Sequence, residues 1–140
     1  MRTVRGAAAA LLLLLSAAAA AAKDLSWRAF DVKARLDGSG ALHVVETQTI
    51  VFDGDWNGGE RTFRVLPGQS LAFESITRVD PDGTRHPMAA GDLSAVDEYR
   101  FVGPHVLRWR SRLPSEAPFD HAERTYELAY TLTGILVKRG

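Results

Sequence analysis

The stretch FDVKARLDGSGALHVVETQTIVF, residues 30–52, predicts two antiparallel strands joined by a tight turn. Apolar residues occupy every second position from Phe30 to Leu36, with charged residues between them. Side chains in a strand alternate between two faces, so this run predicts a strand with one buried face. Asp37-Gly38 then separates it from a run rich in Val, Thr and Ile, and Asp-Gly in that position is typical of a hairpin.

The rest of the chain continues as strands separated by turns. Tyr126, Leu128, Tyr130 and Leu132 alternate with more polar residues, and the segment 81–84, Pro-Asp-Gly-Thr, suits a type I turn. No stretch of ten residues after the leader shows helical spacing. The pattern therefore predicts an all-β fold, an antiparallel β-sandwich of about seven or eight strands that follows an N-terminal signal peptide helix.

The N-terminus has the features of an export signal. Arg2 and Arg5 are followed by an apolar run over residues 7–22 that ends in an alanine tract, which offers many cleavage positions. This run is shorter than the roughly 20 residues that a membrane-spanning helix needs. We expect a cleaved signal peptide over residues 1–22, a β-domain over residues 23–140, and a location in the periplasm or on the extracellular side of the envelope. A leader kept as a membrane anchor is the alternative.

The composition excludes several classes of function. The chain has no cysteine, so it has neither disulfides nor the thiol that lipoprotein acylation needs. Its 17 basic and 17 acidic residues balance, which gives no overall attraction to nucleic acid. The mature part contains no predicted transmembrane segment, although contact with a membrane surface stays open. The strand-like run from Gly134 to Lys138 stops close to the last residue, which predicts a truncated or split form of a longer protein.

Three short patterns carry a resemblance to a known family. They are the turn and strand over residues 37–54, the pair Arg61-x-x-Arg64 ahead of Leu66-Pro67, and the run Thr125-Tyr126-x-Leu128-x-Tyr130. Together they resemble the exported N-terminal domain of a bacterial family of predicted membrane proteins, domain-of-unknown-function family 2207. The resemblance covers roughly residue 25 to the end. It implies a β-domain outside the cytoplasm that transmembrane helices usually follow, and it brings no catalytic residues.

Glu46 is the most informative single residue. Its position in the second strand places it on the same face as Ile50 and Phe52, which should point inward. A buried carboxylate is costly unless it is paired, and Arg61 and Arg64 are the natural partners. We expect a structural ion pair. The alternatives are a general acid or base in a cleft and a bulge that turns Glu46 to solvent.

The segment between residues 53 and 60 matches the opening of a calcium loop. Asp53, Asp55 and Asn57 are spaced as in D-x-[DN]-x-[DN]-G, and Glu60 adds a fourth oxygen ligand. The twelfth position, however, is Arg64 instead of a bidentate Glu. The same residue types also make ordinary solvated loops, so we expect a loop over 53–60, a strand over 61–66, and no cofactor, with calcium as the alternative.

One further surface could bind a ligand. Arg108, Arg110 and Arg112 alternate along one predicted strand, and three guanidinium groups on one face could hold phosphate, a lipid headgroup or an acidic glycan. The simpler interpretation is a solvated face or a charged edge strand. Trp56, in the predicted loop, is the candidate for stacking on a sugar, whereas Trp109 belongs to an inward face.

The function predicted from these observations is a non-enzymatic interaction module of the cell envelope. Its partner would be an unknown envelope protein or missing parts of a longer parent chain. One alternative is a small envelope hydrolase that uses Glu46 or the pair Asp53 and Asp55. Another is a calcium- or sugar-binding module.

Overall fold

The computed structural model describes residues 22–137, so the predicted signal peptide lies almost wholly outside the described residues, as do the last three residues. Within this range the chain is all-β and forms two sheets, which confirms the predicted β-sandwich. The nine strands are β1 (Asp24–Leu36), β2 (Leu42–Gly54), β3 (Gly58–Thr62), β4 (Ser70–Val79), β5 (Arg85–Pro87), β6 (Ala89–Ala90), β7 (Glu98–Gly103), β8 (Val106–Arg110) and β9 (Phe119–Thr133).

The larger sheet has five strands in the order β1-β2-β9-β4-β5, all antiparallel. The smaller sheet has four, β3-β8-β7-β6, with β6 parallel to β7. The first hairpin forms as predicted, with Val32 opposite Glu46 and Leu36 opposite Leu42. Asp37 closes its turn through hydrogen bonds from the backbone N–H groups of Ser39 and Ala41.

The glycines of the predicted loop belong largely to strands. The structure corrects the loop expected over 53–60, because β2 continues to Gly54 and β3 already begins at Gly58. Gly58 and Gly59 pair with Arg110 and Trp109 of β8. A Cβ on Gly59 would lie 2.2 Å from the Trp109 Cζ2, so the missing side chain makes room for the indole ring. Correspondingly, β3 ends at Thr62, well before the predicted end at residue 66.

The core lies between the two sheets and is rich in aromatic residues. The Trp109 ring of β8 packs 5.3 Å from the Tyr126 ring of β9. Phe63 meets Tyr130 edge to face at 4.9 Å. The most deeply buried apolar side chains come from β2, β4, β8 and β9: Ile50, Phe52, Ile76, Leu107, Trp109, Tyr126 and Leu128.

The first strand departs from the prediction of a buried face. β1 pairs with β2 so that its apolar residues lie on the inner face of the sheet, yet Val32 is 53% exposed and Phe30 is 50% exposed. Since β1 is the outer strand of the wider sheet, the narrower sheet does not cover it. We call this surface the β1 apolar face; it consists of Trp27, Phe30, Val32, Ala34 and Leu36.

Candidate functional site

Glu46 sits at the centre of a buried hydrogen-bond cluster. It is 2% exposed, and Arg61 holds it with two bonds, from Nη2 to Oε1 at 2.6 Å and from Nε to Oε2 at 2.9 Å. The Tyr130 hydroxyl donates to Oε1 at 2.5 Å and the Gln48 amide to Oε2 at 3.1 Å. Because Arg61 belongs to β3 while the other three residues belong to β2 and β9, this cluster ties the two sheets together.

The electrostatics of the cluster keep the carboxylate charged. Burial alone raises the pKa of Glu46, but the hydrogen bonds and the charge of Arg61, with the hydroxyl of Tyr130, outweigh it and leave the pKa below its ordinary value. Burial and the neighbouring carboxylate raise the pKa of Tyr130 to about 12. A carboxylate that is 2% exposed and whose two oxygens already accept four hydrogen bonds has little left to offer a substrate.

Arg64 takes no part in this cluster. It is exposed, and within residues 22–137 the salt bridge of Glu46 is made by Arg61. Arg61 belongs to β3, whereas Arg64 lies beyond the end of that strand at Thr62.

The residues proposed as calcium ligands are divided among three separate groups of contacts. The Arg112 guanidinium, 3% exposed, donates to Asp55 and to Asn57 Oδ1. It also donates to the Trp56 carbonyl at 2.7 Å. Glu60 pairs instead with Arg108 at 2.6 Å. A guanidinium thus occupies the oxygens of Asp55 and Asn57, where the calcium hypothesis requires a metal ion.

Asp53 belongs to a different group of side chains. It lies 3.4 Å from the His121 Nε2, and His121 Nδ1 is 2.9 Å from Asp120. The ligand atoms of these three residues lie within 4.8 Å of one another. The bond to Asp120 and the charge of Asp53 raise the pKa of His121. Asp53 is far in the sequence from Asp120 and His121, so the sequence did not predict this group. The pairing of β2 with β9 brings the three residues together.

The three arginines do not form one exposed face. Arg108 is exposed and paired with Glu60, whereas Arg110 is partly buried and donates to the Leu93 carbonyl at 2.8 Å. Arg112 is buried and lies beyond β8, which ends at Arg110. The structure therefore corrects the expectation that the three arginines form one ligand-binding face, since Arg108 alone among them is exposed.

A cavity of about 530 Å³ opens between β1 and the β2–β3 turn. Trp27, Trp56 and Trp109 all line it, together with Asp55 and Glu60. The alternation of β1 places Trp27 on the charged face, but a bulge between Trp27 and Ala29 shifts the register and sets Trp27 opposite Ile50 on the inner face. The sequence singled out Trp56 from its predicted loop and set Trp109 aside as core, whereas the bulge that turns Trp27 inward has no signature in the sequence.

The indole N–H groups of the three tryptophans differ in their hydrogen bonding. Trp27 Nε1 donates to Gln48 at 3.1 Å and Trp56 Nε1 donates to the Asp24 carbonyl at 2.9 Å. Trp109 Nε1 is buried and has no hydrogen-bond partner among the described residues. The Lys23 ammonium lies 5.4 Å from the centre of the Trp56 ring. The cavity thus combines aromatic surface with charged groups at its rim.

The packing of the two sheets leaves the β1 apolar face incompletely covered. Trp27, Phe30, Val32 and Leu36 are between 50% and 54% exposed along a single strand. Contiguous apolar surface of this kind, bordered by polar residues, marks interaction sites in soluble domains.

No helix in the described part of the chain is long and apolar enough to cross a membrane.

The fold and these surfaces place the chain in a class of domain: an antiparallel β-sandwich with an uncovered apolar edge strand and a tryptophan-lined cavity. The family model "Predicted membrane protein (DUF2207) N-terminal domain" matches residues 26–139, and the chain belongs to this family. The resemblance predicted from the first hairpin and the late strand is thereby confirmed. Neither the curated proteins nor the solved structures contain a match to this chain.

Proposed function

We propose that this domain is a non-enzymatic interaction module of the cell envelope that binds its partner through the β1 apolar face. One observation carries the proposal: large apolar side chains along a 13-residue outer strand are half exposed although they lie on the inner face of the sheet. Uncovered apolar surface is favourable to bury, at about 25 cal/mol per Å². A partner that covers this strand would complete the sandwich.

The location outside the cytoplasm rests on the predicted leader, and the family supports a role near a membrane. The family description is that of the N-terminal domain of a predicted membrane protein. The partner is accordingly an envelope protein or another part of a longer parent chain.

The state of Glu46 supports binding over catalysis. Glu46 is buried and fully hydrogen-bonded, and Asp55 is engaged by Arg112. A general acid or base needs a free proton position within reach of a substrate in a cleft. Glu46 lacks that arrangement, so the hydrolase alternative finds no support at this carboxylate.

Photo-crosslinking in cells tests the proposed binding face. A photoreactive phenylalanine analogue in place of Val32 should give crosslinked products. The same analogue in place of Val102, which is 41% exposed on the other sheet, is the matched control. Equal yields from both positions, or none from Val32, would refute the role of the β1 apolar face.

Fusion of alkaline phosphatase to the C-terminus tests the location, since this enzyme is active only after export. We expect activity with the full chain and none when residues 2–22 are deleted. Activity that does not depend on the leader would contradict the proposal.

The cavity favours sugar binding as a second candidate function. Trp27, Trp56 and Trp109 line one space with carboxylates and cations at its rim, and aromatic faces with polar neighbours suit sugar rings. Titration with an N-acetylglucosamine trimer should change the tryptophan fluorescence. Trp27→Ala should abolish the response while the variant, which loses the bond from Trp27 to Gln48, keeps a cooperative unfolding transition. A trimer that leaves the fluorescence unchanged would speak against this function.

A further inference from the structure

We propose that the partner of the β1 apolar face is a second copy of this chain. In this dimer, the two β1 strands pair antiparallel and join the two five-stranded sheets into one. The inference rests on the proposed function and specifies its partner.

The outer edge of β1 is available for pairing. One edge of β1 pairs with β2, and the other carries no strand within residues 22–137. Its backbone N–H and C=O groups therefore form a template for another strand. Asp31, Lys33 and Arg35 alternate with the apolar residues on the opposite face of β1, and none of them forms a salt bridge in the described part of the chain.

The charge pattern of β1 is complementary to itself. With Val32 on the twofold axis, Asp31 faces Lys33 of the second copy, and this pair occurs twice by symmetry. Phe30 faces Ala34 of the second copy on the apolar side. An axis at Asp31 or at Lys33 would instead place two like charges directly opposite each other. The register centred on Val32 avoids such a contact.

The bulge and the far edge of the sheet explain why the assembly would stop at two copies. The irregularity between Trp27 and Ala29 interrupts the strand, so regular pairing extends from Ala29 to Arg35. At the other edge of the five-stranded sheet, β5 has three residues and ends in Pro87, which offers little to pair with. A twofold contact that uses the long edge of both copies is closed.

Dimer formation also accounts for part of the exposed apolar surface. The two β1 apolar faces become neighbours on the same side of the joined sheet. Val32 then packs against Val32 of the second copy, and Phe30 covers Ala34. Side chains that are half exposed in one copy thereby bury part of each other.

Sedimentation velocity of the purified full chain, from micromolar to sub-millimolar concentration, tests this proposal. We expect the fraction with twice the monomer mass to rise with concentration. Asp31→Lys and Lys33→Asp each place like charges opposite each other twice, which should weaken dimerisation about thirtyfold. Arg100→Asp, an exposed charge reversal on β7, is the control and should leave dimerisation unchanged.

Two combinations of these variants test the register of the paired strands. An equimolar mixture of the Asp31→Lys and Lys33→Asp variants should form a heterodimer, because every facing pair is then attractive. The double variant Asp31→Lys/Lys33→Asp should regain the wild-type affinity. With the axis at Lys33, Asp31 would face Arg35 of the second copy, and the double swap would not restore binding.

The outcomes separate this inference from the proposed function. A chain that stays monomeric at every concentration, or a charge reversal without effect, overturns the second copy as partner. If position 32 then crosslinks a different protein in cells, the interaction module stands and only the dimer is refuted. If position 32 crosslinks nothing in cells, the proposed function itself fails.

Discussion

Replacement of Glu46 by Gln tests the cluster that joins the two sheets. The substitution keeps the size of the side chain and removes its charge, so Arg61 and the Tyr130 hydroxyl lose the carboxylate they share. Gln also brings an N–H2 group next to existing donors, where it finds no acceptor. We expect the variant to fold with the same topology and a clearly lower free energy of unfolding.

The magnitude follows from the burial of the two partners. Breaking a buried ion pair by removing one partner costs roughly 3–5 kcal/mol. The side chain of Arg61 is 29% exposed and can turn partly to water, which favours the lower end, about 3 kcal/mol. For a domain of this size, each kcal/mol lowers the melting temperature by about 4 °C, so the expected decrease is about 12 °C.

Urea unfolding followed by tryptophan fluorescence measures this effect, because Trp109 lies in the core. A double-mutant cycle with Arg61→Met isolates the pair. The double variant should be more stable than the sum of the two single changes predicts, since no unpaired charge remains. An unchanged melting temperature for Glu46→Gln, or strict additivity in the cycle, would refute the view that this pair stabilises the sandwich.

Three further predictions follow from the same structure. Since the pKa of Glu46 is lowered in the folded state, the stability that its charge contributes is complete above the ordinary pKa of 4.5 and is lost as the pH falls through the folded pKa. The free energy of unfolding of the wild type should therefore fall more steeply in an acid titration than that of Glu46→Gln. Gly59→Ala should cost about 2 kcal/mol in urea unfolding because its Cβ would strike Trp109, whereas Gly38→Ala, with nothing within 4 Å, should be nearly neutral; equal effects would contradict the close β3–β8 contact. Millimolar calcium should leave the melting temperature unchanged in calorimetry, because an arginine already binds two oxygens of the segment 53–60; a rise of several degrees would restore the calcium hypothesis.

The two-residue period determined the fold class, the first hairpin and the inward direction of Glu46. These features depend on neighbours in the sequence and on backbone geometry, which a pattern of alternating residues records directly. Proximity in the sequence named both Arg61 and Arg64 as cations for Glu46, and among the described residues the structure joins Arg61 to it and leaves Arg64 exposed.

Only the tertiary structure decided which surfaces are covered. Phe30 and Val32 have the pattern of a buried strand face, yet they stay half exposed because the second sheet is narrower than the first. Arg112 has the pattern of a surface stripe, yet it is buried where the turn after β2 closes over it. The physical reason is common to both: alternation sets the direction of a side chain, while burial depends on whether another layer lies over it, and that is decided by contacts distant in the sequence.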